Sequence, residues 1–224
     1  MIYKKKLLMA VIIALMSGVS ILNAQVLVGP YIGLNLSTAT GNNSSGNNYR
    51  PGLNAGLAID LGLSKNFFIE TGLGYDMKGT GYDNTTTTTI SGVDYTYENS
   101  GHTTYSYLSI PVLLMIKGGN LFVQAGPNFS ALVGQSNSNT TTTTSGGTSN
   151  SVETSSSSVS GSNTIDYGLD LGIGLQSNQG AFIRLGSVIG LGNVDKASSS
   201  NTIHNLLFQI SLGWKFGSVK SSNG

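Results

Sequence analysis

Eight runs of strict apolar–polar alternation constrain this chain more than any other feature. They fall at 25–37, 51–63, 67–78, 105–117, 121–134, 165–176, 181–193 and 203–216. A period of two marks a strand with two unlike faces, because successive side chains leave the backbone on opposite sides. In the sixth run Ile165, Tyr167, Leu169, Leu171, Ile173 and Leu175 make one face. Asp166, Gly168, Asp170, Gly172 and Gly174 make the other. No comparable helical period follows residue 24, so the sequence predicts an all-β protein.

Alternation fits two opposite architectures. A soluble sandwich turns its apolar face inward, whereas a membrane barrel turns it toward lipid. The connections separate them. Short links near 64–66, 117–120 and 176–180 alternate with long ones at about 38–50, 79–104, 135–164 and 194–202. An up-and-down order then collects every long link at one end and every short turn at the other, as in outer-membrane barrels. Each run exceeds the roughly 9–11 residues that a tilted strand needs to cross a bilayer. The expectation is an eight-stranded antiparallel up-and-down transmembrane β-barrel, with long loops extracellular and both mature termini periplasmic. A secreted β-sandwich adhesin is the rival.

The first 24 residues read as an export signal. Lys4, Lys5 and Lys6 precede an uncharged run from Leu7 to Leu22, and Ala24 offers a cleavage point. That run is shorter than the roughly 20 residues of a spanning helix. The expected organisation is a signal peptide at 1–24, a barrel domain at 25–216 and a polar tail at 217–224. There is no cysteine, hence no disulfide, thiolate metal site or lipidated cysteine. Without its three leader lysines the chain carries eight basic residues against ten acidic ones. Nothing in that balance suggests nucleic acid.

The long links are low-complexity. Asn84 precedes five threonines, Thr85–Thr89, and 136–163 is almost wholly Ser, Thr, Asn and Gly, broken by Val152, Glu153 and Val159. So little apolar area cannot offset ordering entropy, which predicts mobile loops with little fixed structure.

The polar face carries charges that must find partners inside a barrel. Glu70 or Asp170 with Arg184, and Asp60 with Lys215, are the expected pairs. An eight-stranded barrel is just wide enough for its own side chains to fill. Tyr31, Phe68, Met115, Phe122, Phe182 and Arg184 are expected to occupy the space left by the inward glycines. Trp214, Tyr105, Tyr107 and Phe67 are expected in aromatic girdles at the two interfaces.

Catalytic signals are sparse. His102 and His204, with Asp94 and Asp195 near them in sequence, map to the long-loop side. A rim-sited acyltransferase would use such residues, but the spacing is not diagnostic. No phosphate loop, metal-ligand pair or nucleophile elbow is present. The sequence therefore assigns no catalytic, cofactor-binding or metal residue; no enzymatic activity or cofactor is expected, and the expected role is structural or surface interaction, with a small pore among the alternatives. The expected partners are outer-membrane lipid, the barrel assembly machinery during biogenesis, and an extracellular or periplasmic protein.

Several words carry a family resemblance. Gly29-Pro30-Tyr31-Ile32-Gly33-Leu34-Asn35-Leu36-Ser37 looks like the first strand of the PorT-type outer-membrane β-barrel family. Tyr107-Leu108-Ser109-Ile110-Pro111-Val112-Leu113-Leu114 resembles its fourth strand. Ala125-Gly126-Pro127, Asp166-Tyr167-Gly168-Leu169 and Leu212-Gly213-Trp214-Lys215-Phe216 resemble later ones. The resemblance covers essentially all of 25–216. It implies an eight-stranded barrel of the size of OmpX and the membrane domain of OmpA, and in one branch an accessory role in type IX secretion. Two features depart from the usual pattern. Eight residues follow Phe216, where such barrels end on an aromatic. Pro30, Pro111 and Pro127 also fall within strands that have no free edge, so local ladder distortions are expected.

Overall fold

The computed structural model describes residues 25–42, 44, 46–157, 162–194 and 202–217. The signal segment at 1–24 and the tail beyond Gly217 lie outside them. The described residues form nine strands: β1 (Val26–Gly41), β2 (Asn47–Gly62), β3 (Phe67–Ile90), β4 (Val93–Gly118), β5 (Leu121–Ser145), β6 (Thr148–Ser156), β7 (Ile165–Gln176), β8 (Ala181–Gly190) and β9 (Ile203–Trp214). Eight of them close into a ring, β1-β2-β3-β4-β5-β7-β8-β9, with β9 returning to β1. Every neighbouring pair is antiparallel. The fold is an eight-stranded up-and-down β-barrel; among the described residues β6 pairs only with β5, and it stands outside the ring.

The apolar face of every ring strand points outward. Leu171 and Ile173 are 40% and 48% exposed, whereas Asp170 between the strands' inner faces is 7% exposed. Ile32, Leu57, Leu73, Ile110, Phe129, Leu185 and Leu212 are likewise exposed. Polar and charged residues instead make up the larger part of the buried set. This inversion is the solvent logic of lipid: aliphatic side chains lose nothing outside, and polar groups must be satisfied within.

The prolines interrupt the ladders. The β1–β9 pairing lapses at Gly29–Pro30, between the bridge Val28↔Phe216 and Tyr31↔Gly213. The β3–β4 pairing lapses opposite Pro111, and the β4–β5 pairing between Pro111↔Asn128 and Leu114↔Ala125, across Pro127. A missing N–H cannot be supplied by a neighbour in a closed ring, so the gap stays. Phe216 closes the barrel through paired backbone bonds with Val28 (2.8 and 2.7 Å).

The low-complexity segments differ from the expectation of mobile loops. β3 and β4 run on past the apolar belt to the tight turn Ser91–Gly92, and β5 runs on to Gly146–Gly147 before returning as β6. Positive φ at both central residues of each turn (51° and 80°; 55° and 80°) is the geometry that suits a two-residue hairpin. β3, β4, β5 and β6 thus form a four-stranded sheet beyond the barrel mouth. From Lys78 to the tip of β3 is twelve residues, roughly 40 Å at a strand's rise. β3, β4 and β5 need little new nucleation here, because each continues a ladder already fixed in the ring, and β6 folds back on β5. Threonine is β-branched and suits a pleated surface. Cross-strand hydroxyl pairs add to this, at Thr87–Thr96 (3.2 Å), Thr142–Ser151 (2.9 Å) and Thr144–Ser149 (2.8 Å).

Candidate functional site: the lumen and the projecting sheet

The lumen is filled in two ways. Phe68, Met115, Phe122 and Phe182 form a buried cluster, with Tyr31 packed against it. These are the side chains that the sequence placed there. Inward glycines make the room. A Cβ on Gly213 would come within 2.5 Å of the Phe182 ring, and one on Gly74 within 2.6 Å of the Tyr31 hydroxyl. A Cβ on Gly174 would strike both the Phe122 ring and the Ile183 carbonyl. Gly174→Ala is therefore expected to cost about 1–3 kcal/mol through overpacking. A lowered urea midpoint in lipid vesicles would register that loss, and an unchanged midpoint would contradict the packing.

Beside the aromatics runs a chain of alternating charge. Lys117 contacts Asp60 (3.1 Å), Asp60 contacts Lys215 (2.6 Å), Lys215 contacts Glu70 (2.6 Å) and Glu70 contacts Arg184 (2.7 Å). Both expected pairings, Arg184 with Glu70 and Lys215 with Asp60, are present. Asp170 takes a different partner, the Asn128 amide (3.4 Å). Asp60 and Glu70 stand directly opposite each other on β2 and β3. Two like charges so placed repel, and Lys215 reaches across the lumen to bridge them. Toward the other end Lys78 pairs with Asp166 (3.3 Å), which also accepts from Asn205 (2.9 Å). Asp76 is held by neutral donors, Ser109 and Gln209.

Tyr107 corrects the girdle expectation. It is fully buried, with the Lys78 ammonium 4.7 Å from its ring centre. The period of two already required this, since Leu108 and Ile110 face outward and Tyr107 has the opposite parity. Trp214 and Phe67 do face outward, at 43% and 46% exposure, and Tyr105 is half-buried.

The rim histidines are not brought into a catalytic arrangement among the described residues. His204 uses Nδ1 on the Gly192 carbonyl (3.0 Å). His102 lies on β4 between Gly81 and Ser138. Asp94 is eight positions further along β4, roughly 26 Å away, and bonds to Thr89 (2.6 Å). Asp195 lies outside the described residues. Partial burial and the nearby Arg50 lower the His102 pKa, which favours the neutral ring at neutral pH.

The projecting sheet has two unlike faces, fixed by register. Asp83, Glu98 and Asp94 lie on one, in line with Thr85, Thr87 and Thr89, and Glu153 joins them through Thr140. Tyr82, Tyr95 and Tyr97 lie on the other, with Asn84, Asn99, Asn139 and Asn150. The projection, 79–104 and 134–157, holds no lysine or arginine. The outer edge of β6 carries backbone groups with no partner strand among the described residues. Sequence reasoning missed this sheet; its signal was the two glycine-bearing dipeptides between alternating threonine stretches.

The model of the outer membrane protein beta-barrel domain matches residues 22–196. The chain belongs to this family. Its place is accordingly the bacterial outer membrane. Among solved structures, the barrel is similar to Ail, the attachment invasion locus protein of Yersinia pestis, at 13% identity, covering 86% of this chain and 99% of that one with a TM-score of 0.38. It is similar to Neisserial surface protein A at 13% identity, covering 87% and 99%, TM-score 0.39. It is similar to CarO2 of Acinetobacter baumannii at 11% identity, covering 83% and 98%, TM-score 0.35. No match emerged among curated proteins. At such scores the likenesses carry nothing about ligand or partner.

Proposed function

We propose that this barrel is a non-enzymatic surface protein that anchors a rigid polar sheet outside the cell and binds macromolecules through it. The observation that carries the reading is the four-stranded projection standing on a filled lumen. A filled lumen argues against transport, and a sheet with a free edge, an acidic face and a tyrosine face offers contact surface without a pocket for small substrates. In this reading the hairpin end is extracellular, and the short turns and both ends of the barrel domain are periplasmic.

Three results test it. Planar bilayers holding the purified barrel should show no stable conductance steps; sustained steps would overturn the filled-lumen argument. Deletion of 136–163 should leave a heat-modifiable barrel with stability changed by less than about 1 kcal/mol, because the removed strands bury no apolar core. Protease added to intact cells should cut the full-length protein between 135 and 164 and leave the barrel; protection in intact cells with cleavage in spheroplasts would reverse the orientation. Crosslinking in intact cells should then yield adducts with the full-length chain that the deletion loses. The PorT-like words around Tyr107–Leu114 favour a second reading, an accessory of a type IX-like secretion system. A secretion component co-purifying equally with the deletion variant would select it.

A further inference from the structure

The turn end of the barrel holds a cavity of about 590 Å³. Lys65, Lys117, Lys215, Ser177, Asn178 and Gln179 are among the residues that line it, and among the described residues no carboxylate does. Its donors are underused. Lys117 spends its ammonium on Asp60 (3.1 Å) and the Gln176 amide oxygen (2.7 Å). Lys215 spends its own on Asp60 and Glu70. An ammonium has three donors; among the described residues the third of each meets an aromatic ring and no oxygen acceptor, Phe68 at 4.3 Å from Lys117 and Phe182 at 5.0 Å from Lys215. The Ser177 hydroxyl is buried with no partner. Lys65 is exposed and makes no ion pair among the described residues.

Charge points the same way. The ion-pair chain has three cations, Lys117, Lys215 and Arg184, against two carboxylates, Asp60 and Glu70. Asp60 is shared between two lysines, and Lys65 adds a further positive charge at the mouth. The surplus sits at the cavity and not deeper, because beyond Arg184 the lumen holds Asp170, Asp76 and Asp166 with Lys78 as the cation among them. A cation in a low-dielectric site is stabilised by an anion that accepts its spare hydrogen bonds.

We propose that this cavity binds an oxyanion, a carboxylate or phosphate group, held by Lys117 and Lys65 with the Ser177 hydroxyl donating. The molecule bearing the group enters from the turn side. Two sources share that chemistry: a free or polymer-borne anion, and a phospholipid headgroup at the bilayer surface.

The test is amide NMR of the full barrel in an uncharged maltoside detergent, titrated with inorganic phosphate and separately with acetate. Saturable shifts are expected at Lys117–Gly119 and Ser177–Gly180, and sodium chloride at matched ionic strength should not reproduce them. Lys65→Gln should weaken the apparent affinity roughly threefold, the scale of one exposed charge. Lys117→Gln should abolish saturation. Since Lys117→Gln also removes one of the two lysines on Asp60, its heat-modifiable mobility is checked first, and Lys65→Gln, at an exposed position, decides the matter if that variant fails to fold. Repeating the titration in phospholipid nanodiscs separates the sources. Loss of the phosphate response there assigns the site to a headgroup, and persistence assigns it to a free anion. Linear shifts without saturation, shifts equal to those with chloride, or saturation unchanged in Lys65→Gln would overturn the proposal.

Discussion

Leu171→Lys is expected to destabilise the barrel by about 2–4 kcal/mol and to impair its assembly strongly, as a lysine facing lipid near the bilayer centre does. Leu171 is the seventh residue of the twelve in β7, well inside the apolar belt, and its side chain faces outward. Ile173→Lys should behave alike. Gly172, between them, faces the lumen. A Cβ there would come within 2.9 Å of the Gln124 side chain, which can swing aside at the cost of its long hydrogen bond to Glu70 (3.4 Å). Gly172→Ser is therefore expected to cost nearer 1 kcal/mol, the low end for overpacking. The measurement is equilibrium urea unfolding in lipid vesicles, followed by the fluorescence of Trp214, the single tryptophan. A severe Gly172→Ser with a silent Leu171→Lys would mean that the outward face does not meet lipid.

The second large effect lies in the charge chain. Lys215→Met should cost about 3–5 kcal/mol, because it strips the bridge from two buried, directly opposed carboxylates. The lost quantity is mostly the repulsion of Asp60 and Glu70 once Lys215 no longer bridges them, each keeping a single cation, Lys117 and Arg184. Asp60→Asn placed on top of Lys215→Met removes that repulsion. Glu70 keeps Arg184, and Lys117, whose side chain is 14% exposed, keeps water. The double variant is thus expected to be more stable than Lys215→Met alone, with a coupling of about 1–3 kcal/mol. Simple additivity, or a Lys215→Met barrel as stable as the parent, would show that the chain is not a water-excluded network.

Both predictions rest on sidedness, and sidedness was legible in the residues. One slip of register would carry Asp170 into hydrocarbon, so the period of two leaves a single answer for each strand. The same parity identified Phe68, Met115, Phe122 and Phe182 as the filling; applied to Tyr107 it points inside too, but the girdle expectation followed aromatic character instead and the structure corrects it. The pairs Arg184–Glu70 and Lys215–Asp60 could be anticipated because a charge inside a barrel has few neighbours to choose from. Their branching could not: that Lys215 serves two carboxylates, and Asp170 an amide, depends on side-chain reach across a closed ring.

The low-complexity segments show the limit of composition. Thr85–Thr89 and Thr140–Thr144 have no core to build, and judged as isolated peptides they lack the apolar area to order. In the protein they are never isolated. β3, β4 and β5 enter them already paired and in register, so each added pair continues a ladder whose closure entropy is spent. The sequence by itself determined the strand count of the ring, the inside and outside of each strand, and the end at which the long connections gather, because these follow from a period of two and from turn length. Only the tertiary structure decided that two of the long connections, 79–104 and 135–164, contribute one sheet, which faces its acids and tyrosines share, and where the lysines of the turn end lack further oxygen acceptors among the described residues. Those outcomes depend on which strands closure brings side by side, and local pattern carries no record of that.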